Sequence, residues 1–214
     1  MKKLKGLLII IIALVLVTPA VQSQESSFNP KMVIKTNPLS ALGGPFWVTI
    51  VPITGEYKIL FEIKTLPKQS FTLGASYLGP SLLLNLDEIT NEGSEVSGIK
   101  TSGFKVQGMY KFFISRNTEA PEGFYVGPHG SYATASLTSK DNTADKIIAT
   151  KINFDGVIGY QMITDGGFAL DLYTGLGFKN RTWKYEGTSS DTFDFGDDKS
   201  SPTVAFGFNF GYAF

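Results

Sequence analysis

Cysteine is absent from the chain. Its absence excludes disulfide staples, cysteine-bound zinc, a thiol nucleophile and a lipid-modified N-terminal cysteine. Net charge is absent too, because Lys plus Arg and Asp plus Glu both number 19. A neutral chain without a basic cluster interleaved with aromatics has nothing to hold a phosphate backbone, so no nucleic-acid partner is expected. No phosphate-binding glycine loop, zinc signature or nucleotide motif occurs, and neither a metal nor a cofactor is expected. Histidine is reduced to one residue, His129. Beyond the N-terminal region, no stretch approaches the ~20 apolar residues of a membrane-spanning helix.

What is present points to a barrel. The 214 residues fit one domain. Hydrophobic residues make up 43% and aromatics 13%, and there are 23 glycines. Glycine averages about 7% in soluble domains, so this chain is rich in it. Glycine and aromatics together suit a barrel wall, with aromatics outside and glycines making room inside.

The N-terminus has the anatomy of a secretory signal peptide. Lys2, Lys3 and Lys5 form a positive region, Leu7 to Val17 is uncharged and apolar, and Pro19 breaks the run before Val21-Gln22-Ser23. Residues 1–23 are assigned to the signal, and residues 24–214 to one folded domain, whose expected architecture follows from the alternation of its residues.

Period-two alternation then recurs along the chain. Strands are expected over Met32–Leu42, Ile53–Glu62, Phe71–Leu84, Phe104–Ile114, Phe124–Leu137, Ile152–Met162 and Phe168–Lys179, with the tail as the eighth. The tail is the clearest. Phe206, Phe208, Phe210, Tyr212 and Phe214 share one face, and Gly207, Asn209, Gly211 and Ala213 share the other. Connections alternate in length. Leu66–Gln69, Ser115–Gly123 and Thr164–Gly167 are compact turns, whereas Asn85–Thr101, Thr138–Lys146 and Gly187–Ser201 are polar and mostly longer. Short turns on one rim and long loops on the other form the outer-membrane pattern. The expected fold is all-β: a closed antiparallel up-and-down transmembrane β-barrel of eight strands, with both termini at the periplasmic, short-turn rim. A soluble lipocalin-like ligand-binding barrel also alternates, with its apolar face inward. The small residues of the polar face and the aromatic tail favour lipid on the apolar face.

The signal peptide, the alternating strands, the rim asymmetry and the Phe214-terminated tail resemble the small outer-membrane barrels of the OmpA-transmembrane-domain and OmpX type. Val33-Ile34-Lys35-Thr36-Asn37-Pro38-Leu39, followed by Gly55-Glu56-Tyr57, also resembles the opening of a barrel family of unknown function. The resemblance implies location in the cell outer membrane. It implies contact with outer-membrane lipid and lipopolysaccharide, and insertion by the barrel-assembly machinery through the tail residues Phe206, Phe208, Phe210, Tyr212 and Phe214. No peptidoglycan-binding domain is implied.

With the polar faces inward, the lumen holds Lys35, Glu56, Lys58, Glu62, Lys105, Lys111, Asp155, Asp171, Lys179 and Arg181. Charges of both signs in a tight low-dielectric space must pair, so a plug of salt bridges is expected rather than a wide pore. His129 and Ser131, two apart on a strand, share a face, where an imidazole can activate a hydroxyl. This resembles the His-x-Ser of outer-membrane lipid A deacylases. No orienting acid follows on the same strand, and Asp141 and Asp145 fall in a loop. Asp87, Glu88, Glu92 and Glu95, and Asp191, Asp194, Asp197 and Asp198, cluster in two loops without calcium-loop spacing, and solvated surface charge accounts for them. The leading function class is a non-enzymatic barrel that supports the envelope or binds a surface ligand through its loops. The rival is a lipid A deacylase-like hydrolase using His129 and Ser131.

Overall fold

The computed structural model describes residues 29–42, 54–82, 99–139, 145–187 and 198–214. The expected signal peptide and the loop acids Asp87, Glu88, Glu92, Glu95, Asp141, Asp191, Asp194 and Asp197 lie outside these residues.

Alternating apolar and polar side chains fold here into strands β1 (Met32–Thr36), β2 (Thr54–Leu66), β3 (Gln69–Pro80), β4 (Ile99–Phe113), β5 (Gly123–Ser139), β6 (Lys146–Ile163), β7 (Phe168–Glu186) and β8 (Asp198–Ala213). Each pairs antiparallel with the next, and β8 pairs with β1, so the sheet closes into an eight-stranded barrel. The chain ends reinforce the seam: the amides of Lys31 and Met32 donate to the Phe214 carbonyl at 3.1 and 3.0 Å.

Two expectations about boundaries need correction. The first strand does not run to Leu42. It stops at Thr36, and Pro38–Leu42 form a 3-10 helix. Pro38 has no amide to continue a ladder and suits a first helical position. Asn37 caps the turn, accepting from the Ser40 amide through its Oδ1 at 3.2 Å. The borders of the long connections also shift: β3 ends at Pro80 and not at Leu84, whereas Ile99–Thr101, Thr138–Ser139, Lys146 and Asp198–Ser201 belong to strands. Polarity there marks a change in the outer face, not the end of pairing. On β7 the outward positions are apolar from Phe168 to Phe178 except for Thr174, then become Asn180, Thr182, Lys184 and Glu186 while the ladder continues to Lys146↔Glu186.

Burial separates the two faces. Inward side chains such as Lys35, Glu62, Lys111, Asp155, Asp171 and Asn209 are buried, while Ile59, Leu73, Phe154, Leu176, Phe178 and Phe206 stand exposed on the outer wall. Leu176 is 73% exposed, which no core residue of a water-facing fold approaches.

Inward glycines let large side chains lie across the lumen. A Cβ at Gly207 would strike the Tyr173 ring, and one at Gly211 would strike the Ile34 carbonyl and the Lys35 side chain. Outward Gly130 has only the Asn153 carbonyl nearby, at 3.9 Å. Gly207→Ala should therefore destabilise the barrel by about 1–3 kcal/mol through overpacking. Gly130→Ala should stay within about 0.5 kcal/mol. Urea midpoints of the refolded protein in detergent micelles check both, and equal midpoints would remove the space-making role of Gly207.

Candidate functional site: the charged lumen

The inward polar residues gather into layers. Nearest the short turns, Lys35 on β1 and Lys111 on β4 meet Glu62 on β2 and Asp171 on β7. The Lys35 Nζ donates to Glu62 Oε2 at 2.5 Å, to Asp171 Oδ2 at 2.5 Å and to Gln161 Oε1 at 3.0 Å. The Lys111 Nζ donates to the same three atoms, at 3.2, 2.9 and 2.7 Å respectively. An ammonium has three donors and no acceptor, so both are fully used. The remaining carboxylate oxygens are also engaged. Ser70 Oγ donates to Glu62 Oε1, and Tyr125 Oη donates to Asp171 Oδ1 at 2.6 Å. The Lys111 Nζ also lies 4.2 Å from the centroid of the Tyr125 ring. Two cations and two anions cancel, and every charged atom has a partner.

The turns close the space below this plug. The Lys68 Nζ donates to the carbonyls of Ser115 at 2.8 Å and Arg116 at 3.3 Å, and the Ala120 amide donates to the Pro67 carbonyl at 2.7 Å. Ala120 is buried against Phe113 and Tyr125. The β4–β5 connection is thus tied to the β2–β3 turn beneath the lumen. Outside this cap, Lys64 donates to Glu119 at 2.7 Å, and that bond holds the Glu119 carboxyl below its ordinary range.

Higher up, Glu56 accepts from Lys105 at 3.1 Å and from Ser76 at 2.9 Å, and lies 3.3 Å from Lys58. His129 Nδ1 lies 3.0 Å from Asp155 Oδ2 across the β5–β6 ladder, where the two residues are direct partners. Beyond them come Lys151, Lys179 and Arg181. In the ladder Lys151 lies opposite Arg181, and Lys179 lies opposite Asn153.

Each lumen charge expected from parity therefore faces inward. The structure joins Lys35, Glu62, Lys111 and Asp171 in one cluster and Glu56, Lys58 and Lys105 in another. It does not join His129 to Ser131, because His129 Nε2 has no hydrogen-bond partner. The acid that orients His129 is Asp155 on the neighbouring strand, which a search along one strand does not find. Parity did mark Asp155 as inward, and the β5–β6 register was the missing step. Gln161 carries no charge, so a search for lumen charges does not find it, yet it accepts from both lysines. Lys151 lies one residue before the expected start of its strand, and extending the alternation by that residue would have found it. Tyr125 and Tyr173 are aromatics on the inner face, where a search for aromatics on the outer face does not look.

Asp171 links both lysines and Tyr125. Truncating it leaves two buried cations sharing the single carboxylate of Glu62, and breaking such a buried pair costs about 3–5 kcal/mol. Asp171→Ala should lower stability by that order in a urea titration. Adding Lys111→Met should restore part of the loss. A double variant no better than the single would show that charge balance does not hold the plug together.

No family model matches the chain, and neither a curated protein nor a solved structure matches it; the arrangement of its own side chains carries the functional reading.

Proposed function

We propose that this chain is a small outer-membrane β-barrel of the kind represented by the OmpA transmembrane domain and OmpX. In this reading it is exported by its N-terminal signal, embedded among outer-membrane lipid and lipopolysaccharide, and sealed against bulk conduction. It serves envelope integrity or surface binding from its long-loop end.

The observation that carries this reading is the inverted partition of polarity. The outer wall exposes Ile59, Leu73, Phe104, Ile152, Phe154, Ile158, Leu176, Phe178 and Phe206, all at least 50% accessible, while lysines and carboxylates are buried inside. Soluble monomers rarely expose contiguous apolar patches beyond a few hundred Å². A lipocalin-like barrel would carry the opposite faces. The apolar run on β7 from Phe168 to Phe178 rises about 25 Å, taking ~3.3 Å per residue and a tilt of roughly 40°. That height fits the apolar band of an outer-membrane barrel. The tail aromatics share this outer face, with Phe208 and Phe210 edge to face at 5.0 Å.

The plug supports the sealed state. Eight strands leave only enough room for side chains, and Lys35, Lys111, Glu62, Asp171 and Gln161 occupy that room. A hydrolase reading keeps one support, the His129–Asp155 contact. It lacks the bond from His129 to Ser131 that would activate a nucleophile.

In cell fractionation the protein should travel with the outer membrane and should run faster on gels unheated than boiled. In planar bilayers it should give no large, stable single-channel step. A soluble, heat-insensitive protein would overturn the membrane assignment, and a large step would overturn the seal.

A further inference from the structure

The upper lumen differs from the plug in its charge balance. Among the described residues Lys58, Lys105, Lys151, Lys179 and Arg181 line it, against the carboxylates of Glu56 and Asp155 and, at the rim, Asp145, which accepts from Tyr185 Oη at 2.7 Å. Glu56 is engaged by Lys105 and Lys58. Asp155 is engaged by His129. Lys179 and Arg181 have polar contacts of their own, and Arg181 lies opposite Asp198 in the β7–β8 ladder. Lys151 is the exception. It is 4% exposed, and its Nζ has no hydrogen-bond partner. Lys105, Lys179 and Arg181 are all near enough to repel it, and Asp155 attracts it without bonding to it.

A buried ammonium without an acceptor is costly. The plug shows what the same chain does when an ammonium is sealed in: it supplies three acceptor oxygens. Lys151 has none, and its layer opens upward. On β7 the inward residues Ala169, Asp171, Tyr173 and Gly175 are buried, whereas Lys179, Arg181, Trp183 and Tyr185 are only half-buried. Among the described residues, the lumen is therefore a vestibule closed at the short turns, with side chains that become more accessible toward the long-loop rim.

We propose that this vestibule binds a compact, multivalent oxyanion of the phosphate type, with Lys151 as its buried anchor and Lys105, Lys179 and Arg181 around it. Several cations in one layer suit a ligand with several charged oxygens better than a single carboxylate. The inference depends on the barrel and its plug and not on which membrane holds it.

Trp183 supplies the readout, since it faces the vestibule with the Arg181 guanidinium 5.9 Å from its ring. Trp47 is the other tryptophan of the chain, and Trp47→Phe isolates the signal. The full chain, refolded in detergent micelles, would be titrated with inorganic phosphate and with pyrophosphate at constant ionic strength, with chloride as control. Trp183 fluorescence should change saturably with pyrophosphate and not with chloride. Lys151→Met should weaken binding by roughly tenfold or more, and Lys151→Arg should retain it. The outward, exposed Lys100→Met should have no effect. Unheated gel mobility confirms that each variant is folded. Micelles doped with phosphatidic acid separate the sources. Competition with pyrophosphate assigns a lipid-borne phosphate to the same site, and its absence assigns a free anion. A signal that never saturates, or undiminished affinity in folded Lys151→Met, would overturn the proposal.

Discussion

Two ammonium groups sharing three acceptor oxygens set the terms for the rest of this barrel. Lys35 and Lys111 each need three acceptors, and both find Glu62, Gln161 and Asp171. A neutral amide between two carboxylates solves the problem without a third negative charge. The arrangement works only if five side chains from β1, β2, β4, β6 and β7 converge on one point. Convergence in turn requires that other strands contribute little volume there. Gly211 beside Lys35 and Gly159 beside Tyr125 meet that requirement, since a Cβ at either would strike those side chains. The glycine content and the charge network are two sides of one packing problem.

The same constraint explains why the polar residues are buried and the apolar ones exposed. Such ion pairs contribute little net stability over apolar packing of the same shape. What they contribute is uniqueness: a slip of one residue in any strand would turn lysines outward and aromatics inward. In the proposed membrane setting that penalty falls on both faces at once, because the outer wall would then offer charge to lipid. The plug and the aromatic belt therefore enforce the same register from opposite sides of one sheet.

Parity made most of this legible. Alternation alone sorted Lys35, Glu62, Lys111 and Asp171 onto one face, and the structure places them together. It could not say which inward residues would meet, because contact across a lumen depends on stagger and tilt rather than on position along a strand. That is why the role of Gln161 lies out of reach, while the His129–Asp155 pair needs only the β5–β6 register. Pro38 is visible in the sequence, and its missing amide is reason enough to end the strand before it, as β1 does at Thr36. The apolar side chains on either side of it masked that signal. The upper strand ends depart from the sequence pattern for the opposite reason. Polar residues usually mark loops, but here the ladder outlasts the apolar belt, so composition and pairing part company near Phe178.

The contrast between the two ends of the lumen follows from access to water. At the closed end, every buried charge needs a partner supplied by the chain, and the chain supplies one for each. Toward the open end, solvent or a solute can complete the coordination, so the fold tolerates an excess of cations there. Lys151 lies at the boundary between these regimes, buried like the plug lysines but left without the acceptors they have. In the proposed reading its position makes the barrel asymmetric in function as well as in shape: the neutral end would prevent passage, and the cationic end would hold what enters. A pore and a binding cup place opposite demands on such a lumen, and a neutral floor beneath a cationic wall meets those of a cup.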